Sequence, residues 1–375
     1  MRFARVCLDG LMIDKKDDFG RQACHKQRWE ILATTLWIIS YIIDLIFKEN
    51  IMTNRFMNPN GKILVPVNLD ETAAPNMKAA AQIAKRTGLK LEIVHVNEYW
   101  VGRTWPAEMM FGGPVTGMIS SVEDDAIAGA KASLSLLVKK NLPGMDIPCT
   151  VLLGYPAESI RAHAVAIGAE LIILGGTADD YRFIPKGLST LLSLMADAPC
   201  PVLVLPKGRV TNWESQSLKA IFSDDLQPQT ESAVMVAYDF TAALGNIQLT
   251  LAHSNQMSKD SLKTAMTTAA AASHAPTGAF DVDVIWNAAM KSMDEKLMAR
   301  ASGHKKFLES RSGIAKFIIL QGPPVESILN LANETKADVM IFGRHRTWRR
   351  KPFAIGQLPF HSMLRSQKPV LIAEH

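Results

Sequence analysis

The chain has 375 residues, 48% hydrophobic and 21% charged, with four cysteines and a formal net charge of +5. That is globular composition with room for two or three domains, and it excludes a disordered or fibrous chain. Cys7, Cys24, Cys149 and Cys200 form no C-x-x-C pair and no zinc spacing, which argues against a disulfide framework, and so mild a positive charge falls short of a dedicated nucleic-acid binder, so no specific nucleic acid is expected as a partner.

The first element is an apolar run at 31–47, ILATTLWIISYIIDLIF, interrupted by Asp44. Its length is about the minimum for a spanning helix, roughly 17 residues. No small-residue cleavage site follows, so it makes a poor signal peptide. Three readings of the 1–58 extension stand together: a membrane anchor, an extra packed helix, or a segment upstream of a start at Met52 or Met57. The third rests on Lys48-Glu49, whose codons permit a purine-rich ribosome-binding sequence. A membrane is a partner only under the first.

Strands and helices then alternate. ILVPV is a strand, 73–87 an alanine-rich helix closed by Gly88, and LEIVHV a second strand. An excursion at 100–117 precedes a long helical pattern, ISSVEDDAIAGAKASLSLLVKK. CTVLLG, LIILGG and PVLVLP read as three more strands, separated by the helices AESIRAHAVAIG and GLSTLLSLMADA. The stretch 207–217 is polar and punctuated by glycine, as a linker is.

The remainder repeats this order. GYPAESI at 154–160 returns as GPPVESI at 322–328, an offset of 168 that also carries Gly175 to Gly343, Met195 to Met363 and PVL at 201–203 to PVL at 369–371. KILVPVNLD at 62–70 faces KAIFSDDLQ at 219–227, and LEIVHV faces LTLAHS at 249–254. The alanine run at 267–278 falls in the second copy's long excursion and reads as a lid or part of a helix. The domains expected are therefore 59–206 and 218–375, joined by 207–217. Apolar strands without clean alternation mean a sheet covered on both faces. The fold class is α/β, with two tandem doubly wound parallel five-stranded sheets and helices on both faces of each.

The first strand K-I-L-V-P-V, the L-x-x-H of the second strand, the doubled G-x-P-x-E-S-I and the final P-V-L-V-L together resemble the universal stress protein family, over about residues 60–375. The resemblance implies the strand order 3-2-1-4-5, packing of the two halves through their last strands, and ATP or another adenine nucleotide as ligand class. It also implies a phosphate loop, G-x2-G-x9-G-[ST], after the fourth strand, and an acidic residue at the end of the first. Glycines there let backbone amides approach phosphate oxygens, and a helix N-terminus favours the anion.

Both copies depart from that frame. In the first, Gly175 matches, Ala178 replaces the second glycine, and Leu188 the third, with Gly187 beside it; Ser189 keeps the hydroxyl and Asn68 stands at the acidic position. In the second, Gly343 and Gly356 keep the outer glycines, Arg346 replaces the middle one, Gln357 replaces the hydroxyl, and Asp225, with Asp224 beside it, supplies the acid. An arginine blocks close backbone approach but offers phosphate a side-chain fork. Residues 209–375 hold 19 basic and 15 acidic side chains, and five of the basic ones sit in the loop Gly343–Gly356. That loop is a solvated basic turn, an anion or nucleotide-phosphate site, or a protein or nucleic-acid contact. His95 and His253, near the carboxyl ends of the second strands, read as satisfied half-buried histidines rather than catalysts.

The function expected is that of a cytoplasmic, non-enzymatic stress-response protein, with an adenine-nucleotide or anion site in the second domain and a partner protein yet to be identified. Two alternatives remain: a slow ATP hydrolase or nucleotidyl-transfer enzyme, and an interaction module tethered to the membrane through 31–47. The halves pack against each other within the chain, and a homodimer is a further expectation.

Overall fold

The computed structural model describes residues 54–98, 116–176, 186–207, 211–215, 217–227, 230–245, 247–256, 258–273, 281–309, 314–344 and 357–373. The apolar run at 31–47, residues 100–115 and the loop 345–356 lie outside the described residues.

The first half runs β1 (Lys62–Pro66), α1 (Ala73–Thr87), β2 (Lys90–Asn97), α2 (Thr116–Asn141), β3 (Cys149–Leu153), α3 (Pro156–Ile167), β4 (Ala169–Gly175), α4 (Lys186–Asp197) and β5 (Val202–Leu205). The second runs β6 (Leu218–Ser223), α5 (Glu231–Ala243), β7 (Ile247–Asn255), α6 (Lys259–Ser273), α7 (Val282–Glu309), β8 (Ile314–Gln321), α8 (Pro324–Glu334), β9 (Val339–Gly343), α9 (Gln357–Arg365) and β10 (Val370–Ala373). Thr267–Ser273 of the alanine run is therefore the end of helix α6. Among the described residues, no helix is long and apolar enough to cross a membrane.

The ten strands form one sheet in the order β3-β2-β1-β4-β5-β10-β9-β6-β7-β8. Each half thus has the expected order 3-2-1-4-5, and every pairing within a half is parallel. At the junction β5 and β10 pair antiparallel, with Val202, Leu203 and Val204 opposite Ile372, Leu371 and Val370. The two sheets are one sheet with a head-to-tail seam.

Strand residues alternate between two cores. Ile63 and Val65 join one, under α1, α2 and α5, while Leu64 joins the other, under α3, α4, α8 and α9. Both cores run through both halves. Burial on two faces explains why the strands read as unbroken apolar runs.

The stretch between the halves is anchored at its centre. Trp213 is fully buried and meets Phe240 of α5 edge-on at 6.2 Å; Phe240 in turn meets Phe56 at 5.4 Å. Arg86 of α1 donates from Nη1 to the carbonyls of Trp213 at 2.7 Å and Ser215 at 2.6 Å, and Asn54 Nδ2 donates to the Asp239 carbonyl at 2.8 Å. The helix ends differ between copies. Gly168 closes α3 in the left-handed region at φ 62°, and the residue 168 positions later, Lys336, follows α8 at φ 54°. A side chain there costs roughly 1–2 kcal/mol that glycine does not incur.

Two stability changes are expected. Trp213→Ala removes the ring shared by both halves and should lower unfolding free energy by about 3–5 kcal/mol in urea titration. Lys336→Gly should raise it by about 1 kcal/mol in the same measurement.

Candidate functional site

In each half, the strand order reverses direction between the first and fourth strands, β1 and β4 or β6 and β9. In open sheets of this kind the crevice beyond the carboxyl ends at that point is where ligands bind. One histidine fixes the geometry twice. His95 Nδ1–H donates to the Val67 carbonyl at 2.9 Å, and His253 Nδ1–H donates to the Asp224 carbonyl at 2.8 Å. Both imidazoles are half-buried and hold the turn after the first strand. The repeated contact sets Asn68 and Asp225, each one residue further on, at equivalent places on the crevice lip.

The two lips differ. Asn68 is exposed. In the second half Asp224 is buried, with its Oδ1 accepting from the Leu226 amide at 2.8 Å. Asp225 Oδ1 accepts from the Gln227 amide at 2.9 Å and from the Thr230 hydroxyl, which ties the turn to the start of α5. Burial, together with the charge of Asp224, pushes the phenol of Tyr238 well above its usual range.

The floors differ too. Gly175 ends β4, and the Asn76 side chain of α1 lies so close that a Cβ on Gly175 would be 2.2 Å from Asn76 Nδ2. The amide therefore packs directly on that glycine. At the matching place in α5 the residue is Ala233, buried and without a polar group. Gly343 ends β9, and Gln357 opens α9, with Pro359 in its first turn where a missing N–H costs little. Gly187 and Ser189 lie in the first turn of α4. Arg346 and Gly356 lie outside the described residues. The structure thus brings Asp224, Asp225 and Gly343 to one crevice, and Asn68 and Gly175 to the other.

Residues 59–206 match the model of the universal stress protein family. They belong to that family. The second half repeats the same strand order, and the two together resemble a universal stress protein from Archaeoglobus fulgidus, with a TM-score of 0.53, 14% identity, and coverage of 86% of this chain and 98% of that one. A functionally unknown protein from Pseudomonas aeruginosa is similar with a TM-score of 0.50 at 15% identity, over 86% of this chain and 95% of its own. At these identities the likeness is one of fold. No curated protein sequence matches the chain.

The doubled G-x-P-x-E-S of the universal stress protein fold is structural here. Gly154 and Gly322 take φ of 125° and 111°, turning the chain from strand into helix. Ser159 Oγ then donates back to the Leu153 carbonyl at 3.2 Å, and Ser327 Oγ to the Gln321 carbonyl at 3.1 Å. Each serine closes the turn in front of its own helix, a structural task that both copies share.

Sequence reasoning missed one buried cluster in the first universal stress protein domain. Glu92 of β2 accepts from Lys62 Nζ at 2.9 Å, His163 Nε2 at 2.6 Å and Thr150 Oγ1 at 3.3 Å. It joins β1, β2, β3 and α3 through one carboxylate. Burial raises the acid's pKa, but the hydrogen bonds and charges of Lys62 and His163 outweigh it and hold Glu92 below its usual range. The partners lie 30, 58 and 71 residues away, so no local motif announces them. A groove of about 680 Å³ also opens at the amino ends of β1 and β2, lined by Lys62, Ala84, Leu89 and Ile147 among others. It is at the wrong end of the strands for the crevice chemistry.

Because the folded-state pKa of Glu92 is lowered, its contribution is complete above the unfolded value and is lost as pH falls through the folded one. Urea unfolding from pH 7 to pH 3 should therefore show an acid-side loss of stability that is smaller in Glu92→Gln; equal losses would assign the effect to other carboxylates.

Proposed function

We propose that this protein is a cytoplasmic, non-enzymatic stress-response protein that acts by binding, with one adenine-nucleotide site in the crevice between β6 and β9. The observation that carries the reading is the difference between the two crevices. In the first half Asn76 covers Gly175 and the lip residue is the neutral Asn68. In the second, Ala233 replaces that amide and Asp225 places a carboxylate on the lip. A carboxylate at the end of the first strand suits the hydroxyls of a ribose. The basic residues beyond Arg344, Arg346 among them, then supply charge for phosphates, with Gly356 and Gln357 at the opening of α9.

Binding is favoured over turnover by the state of the same acid. Asp225 Oδ1 already accepts from Gln227 and Thr230, so the carboxylate is a fixed acceptor rather than a base free to move to a reacting atom. A nucleotide held there acts as a signal, read by a partner protein.

Calorimetric titration of the full chain with ATP, AMP and inorganic phosphate tests this. ATP and AMP should bind. Asp225→Asn, which keeps the turn's acceptor but removes the charge, should weaken both about tenfold. Arg346→Ala should weaken ATP more than AMP. No heat with any of the three removes the nucleotide reading, and steady-state phosphate release from ATP that disappears in Asp225→Asn would make the protein an enzyme instead.

A further inference from the structure

Arg344 carries one of the five positive charges of the loop Gly343–Gly356, and its geometry gives it a task of its own. It is the first residue after β9, directly beyond Gly343 at the crevice. Its backbone N–H donates to the Ala373 carbonyl of β10 at 2.9 Å. Its guanidinium Nη2 donates to the Ala198 carbonyl at 2.7 Å, across 146 residues of sequence, in the turn between α4 and β5 of the other half. The side chain is half-buried in this bond.

The antiparallel seam explains the reach. Because β5 and β10 run in opposite directions, the carboxyl end of the second half lies beside the amino-end turns of the first. The relation is not reciprocated. The residue matching Arg344 in the first half is Gly176, which has no side chain to send across and bonds only through its backbone, from N–H to the Leu205 carbonyl at 2.6 Å. At this position the second crevice is strapped to the opposite half and the first is not.

We infer that Arg344 is a positioning residue that makes the second-half crevice depend on the docking of the first half, so that the degenerate half serves as the scaffold of the binding half. A guanidinium on a carbonyl is a charge-assisted bond with fixed direction, and it is stronger than a neutral one. Anchoring the residue next to Gly343 sets where the crevice floor ends. The state of the α4–β5 turn is thereby coupled to the crevice, and a ligand seated there acts back on the turn with the same coupling free energy.

The inference rests on the nucleotide reading for its ligand but not for its mechanics, so two readouts are needed. Full-length wild type, Arg344→Met and Arg344→Lys are compared by amide hydrogen exchange without ligand and by titration with ATP. Arg344→Met should speed exchange several-fold both in the peptide covering 340–344 and in that covering 196–201, leave β3 and β8 unchanged, and weaken ATP about tenfold. Arg344→Lys, which keeps the charge and loses the fork, should recover part of both effects. Unchanged exchange at 196–201 overturns the strap. Faster exchange with ATP affinity equal to wild type overturns the positioning role and leaves a structural bond. If wild type binds no ATP while exchange moves at both ends, the nucleotide reading falls and the mechanical coupling stands.

Discussion

Three residue pairs between β5 and β10 decide the form of the whole molecule. Without them, each half is an open sheet with the last strand as a bare edge, a row of unpaired amides and carbonyls ready to join another chain. Pairing the two last strands satisfies both edges at once and leaves β3 and β8 at the ends of a single sheet. Antiparallel pairing also sets the carboxyl end of each last strand beside the amino end of the other. The continuous cores, the buried ring of Trp213 and the reach of Arg344 to Ala198 all depend on that seam.

Much of this was legible because it is local or repeated. Apolar runs bounded by glycine and proline place the strands, and the 168-residue register of Gly175 with Gly343 and of Met195 with Met363 places two copies of one fold. His95 and His253 were legible as satisfied histidines, since a ring at the end of a covered strand has a carbonyl within reach. What was not legible depends on contacts distant in sequence. Trp213 sits among polar residues, and only the approach of α1 and α5 turns its surroundings apolar. Glu92 reads as one charge in a strand pattern until Lys62, Thr150 and His163 arrive from three other elements. The basic residues near Gly343 look alike in a composition count, yet Arg344 is already engaged with a backbone carbonyl. Charge counting cannot separate a side chain that waits for a ligand from one that holds the fold.

The two halves have diverged in opposite directions. The first has a buried polar cluster around Glu92; the matching positions in the second are Lys219, Thr250, Ile318 and Leu331, where Ile318 and Leu331 join an apolar core and Lys219 Nζ donates instead to the Thr335 carbonyl at 3.1 Å. The second has a carboxylate at Asp225 and a small residue at Ala233 where the first has Asn68 and Asn76. In the first half, then, a charged network ties α3 to the sheet while Asn76 packs on Gly175. In the second, the crevice keeps an acidic lip while the sheet packs without that network.

Such a division follows from the seam rather than from either half alone. A buried carboxylate with three donors fixes the orientation of the elements it joins, because leaving any donor unpaired is costly. That suits a half whose turn carries the Ala198 carbonyl bonded by Arg344. The Arg344 bond runs from the half with the acidic lip to a backbone carbonyl in the half that carries the Glu92 cluster. At the matching place in the first half Gly176 has no side chain to cross the seam, so the two crevices are braced unequally at this position.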